Sequence, residues 1–554
     1  MKRILFFVFL NLFLSLVVMA RQQNLQAAEQ TKYLIYFTNK NGTPYSIQAP
    51  QEFLSEKSIA RRIRQQIPIT VRDLPVNPAY VKALKEAGAT VWYTSRWFNA
   101  AVVQATPEVL DQISNLPFVA NRRSLNRIGQ QETAAVKKQT KSEAIQTGEA
   151  FSLSTEADYG RSFHQANMLG GLDLHKMGFK GEGMTIAVLD AGFPGVNTIP
   201  AFEHLYQNNQ LQGSFDFVAK STNVYTASNH GTAVLSTMAA YAPGKMIGTA
   251  YKANYLLLRT ENAASEHNIE EINWLLGAEY ADSAGADVIN SSLGYHTFDA
   301  PSVSYTYQQI DGNTALVSKA ADQAAAVGIL VVVSAGNDGN SNWRYIAAPA
   351  DGDSVLAVGA VDSLGVKASF SSFGPTADNR IKPDVVALGL NAYVLNASGN
   401  LIKSNGTSFA GPIMAGFATT LWQAYSSRTN IEMISLIRQI GSKARNPDNM
   451  VGYGIPNYKN TVTALPDALE EQQVIVVNPV RENQLMLHLG QKWLRQQVQI
   501  RVYDVAGRLV WQEVISADKS NAVVTLKATQ LKQGMYMCRL QAGALQTTVR
   551  FVKL

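Results

Sequence analysis

The 554-residue chain carries 48 basic and 42 acidic side chains, a formal charge of +6, with 46% apolar residues, 16% charged residues and one cysteine. That apolar content suits a large buried core and the length suits several domains, which excludes an intrinsically disordered chain. A single cysteine excludes an internal disulfide and a cysteine-based zinc site.

The first twenty residues read as an export signal. Lys2 and Arg3 precede the apolar run 4–19, and Val18-Met19-Ala20 places small residues at a cleavage site. The run is 16 residues long and interrupted by Asn11 and Ser15, short of the about 20 apolar residues of a spanning helix. Next come a strand at 33–37, a basic amphipathic helix at 52–64, a helix at 78–87, a strand pair within 91–105 and a helix at 107–116. This is a small α+β module. Residues 21–135 carry 14 basic and 8 acidic side chains. Residues 130–159 are rich in Gln, Lys, Thr, Ser, Glu and Ala without apolar periodicity, the pattern of an exposed linker.

The middle of the chain changes character. Short β-rich runs at 184–189, 254–258, 287–291, 329–333, 355–358 and 385–388 mostly lack polar alternation, and helical stretches such as 268–284 and 315–327 separate several of them. Continuous apolar strands alternating with helices predict a doubly wound, mainly parallel α/β sheet covered on both faces, with ligand sites at the carboxyl ends of its strands. Residues 161–465 carry 18 basic and 23 acidic side chains. The basic excess therefore lies in the flanks, which argues against a nucleic-acid site in the main domain. After a short hinge at 465–473, residues 474–554 read as short strands punctuated by turns, an all-β sandwich in which Cys538 is a buried small hydrophobe.

Four segments carry chemistry. The strand 184–189 ends in Asp190-Ala191-Gly192, Asn229-His230-Gly231-Thr232 opens a small-residue helix, the strand 329–333 runs into Ser334-Ala335-Gly336-Asn337, and Asn405-Gly406-Thr407-Ser408 leads into another helix. Each alone reads as a turn or a cap. Together they supply what acyl transfer by a serine needs: a hydroxyl, a base to take its proton, a carboxylate to hold the base and a donor for the oxyanion. Of the histidines at 164, 175, 204, 230, 267, 296 and 488, only His230 has small neighbours that leave room for a substrate.

With these motifs the chain resembles the subtilisin-like serine proteases, or subtilases. The segments are IAVLDAGF around Asp190, NHGTAVLSTMAA around His230, VVVSAGNDG around Asn337 and NGTSFAGPIMAG around Ser408, with AVGAVD at 357–362, SFSSFGP at 369–375 and GYGIPN at 452–457. The order is Asp–His–Ser. The resemblance implies a subtilisin-like catalytic domain over 161–464, with Asp190 as orienter, His230 as general base, Ser408 as nucleophile, and Asn337 with the Ser408 amide as oxyanion donors. It further implies that Ser292, Leu293 and Gly294 pair with substrate backbone, while Ser334, Ala335 and Gly336 form a pocket wall. Leu235 and Tyr295 depart from the small residues common in the family. The chemistry requires no cofactor; calcium is common in the family, and no loop here spells out a site.

The flanks resemble known companions of that domain. Residues 21–130 look like an inhibitor-type prodomain that assists folding and blocks the cleft, which makes 131–160 a linker and processing region. Residues 474–554 resemble the C-terminal sorting domain of the type IX secretion system. The expectation is a serine endopeptidase made as an inactive precursor and held by its own prodomain. It would act on proteins or peptides, engage outer-membrane secretion machinery, and be secreted or surface-attached in a Gram-negative bacterium, with no nucleic-acid partner. The alternative is a catalytically silent surface-binding protein of the same fold. An α/β-hydrolase esterase fails on order, because Ala410 replaces the last Gly of its G-x-S-x-G elbow and only His488 follows Ser408.

Overall fold

In the computed structural model the described residues are 31–127, 158–461, 474–476, 480, 483–516 and 523–553. The predicted export signal and most of the processing region lie outside them. The chain divides into two units: residues up to 127 join Thr260–Gly285 and Tyr295–Thr306 in the first, and the remaining described residues form the second.

The first unit is built on an antiparallel sheet, with strands β1 (Thr31–Phe37), β2 (Thr90–Ser95), β3 (Ala100–Gln104) and β4 (Val119–Arg127) in the order β2-β3-β1-β4. Helices α1 (Glu56–Arg64), α2 (Pro78–Glu86) and α3 (Pro107–Ser114) begin where caps dictate: Ser55, Asn77 and Thr106 each accept a first-turn amide, and Pro follows directly at α2 and α3. Alternation along the strands sends Ile35, Phe37, Ala101 and Val103 into one core with Leu84 of α2 and Leu110 and Ile113 of α3.

Helix α4 (Ile269–Ala284) belongs to the same unit and packs against α1 and β2. It stops at Gly285, whose φ of +87° favours glycine and whose absent Cβ would lie 2.3 Å from Cβ of Lys57. Near this end Asp282 receives three guanidinium groups: Arg61, Arg62 at 2.8 Å and Arg96 at 2.6 Å. Burial alone would raise the Asp282 carboxyl, but Arg61, Arg96 and Arg62 together hold it below its ordinary range. One turn earlier Glu279 accepts from the backbone amides of Arg96 (3.0 Å) and Trp97 (3.2 Å) and from the Ser95 hydroxyl.

In the second unit, β5 (Thr185–Asp190), β6 (Leu211–Asp216), β7 (Asn254–Arg259), β8 (Val288–Ser291), β9 (Leu330–Ser334), β10 (Leu356–Val361) and β11 (Val385–Leu388) form a seven-stranded sheet in the order β11-β10-β9-β8-β5-β7-β6. Every pairing in it is parallel. The chain leaves β5 toward β6 and β7 and leaves β8 toward β9, so the topological switch lies between β5 and β8. Ligands collect beyond the carboxyl ends of the strands at such a point. The expected fold class holds, with one strand added: β6 is an edge strand of sequence LQGSFD, partly exposed and without an apolar run.

Two helices of this unit carry the site. Helix α5 spans His230–Ala239 and α6 spans Thr407–Ala424. All 18 residues of α6 are buried, so it is an apolar rod packed on β8 to β11 and on α5. The C-terminal segment has two antiparallel sheets, one of three strands and one of four. Leu485 and Leu487 of the first share a core with Ile500, Val502, Cys538 and Leu540 of the second, the sandwich expected from sequence. Among the described residues no helix is long and apolar enough to cross a membrane.

Candidate active site

Asp190 closes β5 and is wholly buried. Its Oδ1 accepts from His230 Nδ1 at 2.8 Å and from the Ala191 amide at 2.7 Å. Its Oδ2 is buried with no hydrogen-bond partner among the described residues. A carboxylate so poorly solvated directs its charge at the one cation that can form beside it, a protonated His230. The close approach depends on glycine: a Cβ on Gly231 would stand 2.4 Å from the Gly192 carbonyl oxygen and 3.0 Å from Cβ of Asp190. His230 is the first residue of α5, and its side chain is one-third exposed (33%). Its ring centroid lies 6.1 Å from that of Phe409, the residue after Ser408.

Ser408 is the second residue of α6, where first-turn amides and the positive end of the helix dipole face any developing negative charge. The start of this helix is held by side chains from the neighbouring strand ends. Pro412 stands four residues after Ser408 and has no N–H, so the Ser408 carbonyl lacks its usual intrahelical donor. The Ser292 hydroxyl donates to that carbonyl instead, at 2.9 Å. The Ser334 hydroxyl donates to the Thr407 carbonyl at 3.1 Å.

Asn337 is fixed in the orientation an oxyanion donor needs. Its Oδ1 accepts from both the amide and the hydroxyl of Thr407, each at 2.9 Å, so its NH₂ is the opposite end. The flanking residues are clamped by Ser372, whose amide donates to the Gly336 carbonyl at 3.0 Å and whose hydroxyl accepts from the Asp338 amide at 2.9 Å. Gly406, at φ +155° and ψ +148°, occupies backbone space open mainly to glycine. A Cβ there would lie 3.6 Å from the Ser408 nitrogen and 3.7 Å from Asn337 Nδ2. Both nitrogens thus border one spot that glycine keeps open.

Of the residues named from sequence, Ser292 and Ser334 bond to the first carbonyls of α6, and the Gly336 amide donates to the Thr407 hydroxyl at 3.2 Å. Ser292 follows β8 and is buried, Leu293 is half-buried and Gly294 exposed; Ser334 and Ala335 are buried and Gly336 is half-buried. Leu235 and Tyr295 are occupied in packing. Leu235 is wholly buried in the core of the second unit. Within the first unit, the Tyr295 hydroxyl donates to Glu261 at 2.8 Å and its ring stacks on Phe298. The supporting groups Thr407, Ser372 and Gly406 lie within the quoted motifs, but the sequence assigns them no role of their own. The signal was present in the hydroxyls and glycines flanking each motif, but their partners are set by the fold.

Three family models match the chain in succession: "Peptidase S8 propeptide domain, Bacteroidota" over residues 32–143, "Subtilase family" over 181–454 and "Secretion system C-terminal sorting domain" over 478–554. Subtilisin DY of Bacillus licheniformis is 32% identical over 279 residues, which is 50% of this chain and 89% of the relative. A subtilisin of Bacillus pumilus is 32% identical over 263 residues, covering 47% of this chain and 84% of the relative. Serine protease AprX of Bacillus subtilis (strain 168) is 29% identical over 312 residues, covering 51% and 66%.

Proposed function

The chain belongs to the subtilase family and is a serine endopeptidase made as a zymogen; from that premise we propose that Ser408 is its nucleophile, His230 the general base and Asp190 the carboxylate that orients it. The observation that carries this is the 2.8 Å bond between His230 Nδ1 and Asp190 Oδ1. With its Nδ1 proton donated to Asp190, a neutral imidazole presents the lone pair of Nε2 to the serine hydroxyl.

Peptide would enter with its backbone along Ser292, Leu293 and Gly294 and its side chain against Ser334, Ala335 and Gly336. As Ser408 Oγ attacks the carbonyl carbon, its proton passes to His230 Nε2, and the imidazolium is stabilised by Asp190. The carbonyl oxygen takes up negative charge at the spot bordered by Asn337 Nδ2 and the Ser408 amide. Collapse breaks the C–N bond, His230 returns the proton to the leaving amine, and an acyl-enzyme remains. Water, deprotonated by the same histidine, then releases the acid and restores Ser408. No step calls for a cofactor.

The domain plan supports a maturation path. Residues 21–130 serve as the inhibitory prodomain after removal of the export signal 1–20, and 131–160 contain the processing site. The catalytic domain spans 161–464, and 474–554 engage outer-membrane secretion machinery. The sorting-domain match implies a secreted or surface-attached protein of a Gram-negative bacterium. Purified precursor tests the catalytic assignment. The unaltered chain is expected to cut itself within 131–160, while Ser408→Ala stays full length on the same gel. Self-cleavage of Ser408→Ala at an unchanged rate would contradict it.

A further inference from the structure

Strand β8 carries a polar side chain in an apolar layer. Asn290 lies opposite Val188 of β5 and Val332 of β9 in the parallel register, and lateral neighbours in a sheet share a face. Both valines are wholly buried in the core that also takes up Ala410 and Ile413 of α6. Asn290 is itself 0% exposed. Its Nδ2 donates to the Ser292 hydroxyl at 3.3 Å, and its Oδ1 is buried with no hydrogen-bond partner among the described residues. Burying an amide with an unmet acceptor costs stability that a third valine would not.

The direction of the bond follows from proton count. A serine hydroxyl has one proton to give and lone pairs with which to accept. Ser292 gives its proton to the Ser408 carbonyl at 2.9 Å. Toward Asn290 it can then only accept, so the amide must present its NH₂ end and turn Oδ1 away, which is the arrangement found. The bonds run one way, from Asn290 Nδ2 to Ser292 Oγ and from that hydroxyl to the Ser408 carbonyl. Pro412 has no N–H, so this carbonyl has no helical donor to fall back on.

We propose that Asn290 is a positioning residue of the active site: it holds the Ser292 hydroxyl toward the Ser408 carbonyl and so keeps the first turn of α6, with Ser408 Oγ and amide, in the reactive orientation. It acts through Ser292, and this role rests on Ser408 being the nucleophile. Without the amide the hydroxyl is free to rotate, and the Ser408 carbonyl loses a donor that was aimed at it. Ser334 and Asn337 still hold Thr407, one residue earlier, so the turn loosens without coming apart. A misplacement of about 1 Å can cost about 10² in rate, so a partial loosening should lower kcat about tenfold.

The test measures kcat and KM of processed Asn290→Val, Asn290→Ala, Ser292→Ala and the double variant Asn290→Val/Ser292→Ala on a peptide substrate. Urea midpoints come from the same substitutions in the full-length Ser408→Ala precursor. Asn290→Val supplies the residue of both sheet neighbours and removes the unmet acceptor together with the donor, so it should unfold no earlier than the parent. Asn290→Ala leaves a gap and should unfold earlier. Both should show the same loss, kcat down about tenfold with KM nearly unchanged. The double variant should lose no more than Ser292→Ala alone, because both substitutions act on one bond. Parental kcat in the Asn290 variants, a kcat loss that tracks the midpoint from variant to variant, or losses that multiply in the double variant would each overturn the proposal. Fluorophosphonate labelling of Ser408 in the parent checks the nucleophile separately, so failure of that assignment is told apart from failure of the role given to Asn290.

Discussion

At the scale of single residues, the placement of Ser408 depends on groups outside the four proposed to carry the reaction. Pro412 removes the donor that would close the first turn onto the Ser408 carbonyl, and Ser292 replaces it at 2.9 Å. Ser292→Ala would leave that buried carbonyl unpaired, a loss of about 1–3 kcal/mol of stability by urea unfolding, with turnover reduced less than by Asn337→Ala. Asn337→Ala removes the proposed oxyanion donor, so it should lower kcat about 10²–10³-fold with KM nearly unchanged; it also takes the acceptor from the Thr407 amide and hydroxyl, so its loss of stability in urea should be comparable to that of Ser292→Ala. The reverse ranking in kcat would refute the division of roles. The four residues proposed for the reaction stand out in sequence because each motif carries its own turn and cap chemistry. The supporting hydroxyls do not: a serine that satisfies a carbonyl 116 positions away leaves no local pattern.

At the scale of elements, α4 is the piece whose importance sequence understated. Its apolar period predicted a helix at 268–284, and the helix is found at Ile269–Ala284. From sequence, however, Asp282 looks like any late-helix acid. Arg61 and Arg62 are each 1% exposed around it and Arg96 10%. Removing a carboxylate shared by three largely buried cations, of which Arg62 also pairs with Asp73 at 2.9 Å, is a different matter from cutting a solvated pair. Asp282→Asn should destabilise the Ser408→Ala precursor by about 3–5 kcal/mol in urea. Lys82→Ala, which breaks a pair with both side chains more than half exposed, should change it by no more than about 0.5 kcal/mol. Similar losses from both would show that Asp282 does not anchor the unit. Strand β6 was missed for an opposite reason: with Gln, Gly and Ser among six residues and one sheet neighbour, it is specified by its pairing to β7.

For the whole molecule, the charge pattern acquires a structural form. The basic excess of residues 21–135 includes Arg61, Arg62 and Arg96, and the acidic balance of 161–465 includes Glu279 and Asp282, the groups that meet in the first unit. The parallel sheet was readable because continuous apolar strands separated by helices allow few other architectures. The division into units was not, because Thr260–Gly285 and Tyr295–Thr306 group with the N-terminal module through contacts that no composition shift marks. What the chain does rests finally on one oxygen atom. The most direct test treats the processed protein with a fluorophosphonate and maps the adduct by peptide mass spectrometry. The label is expected on Ser408 alone, absent from Ser408→Ala and strongly slowed in His230→Ala. An adduct on another residue, or labelling that persists in Ser408→Ala, would contradict the assignment of Ser408 as the nucleophile.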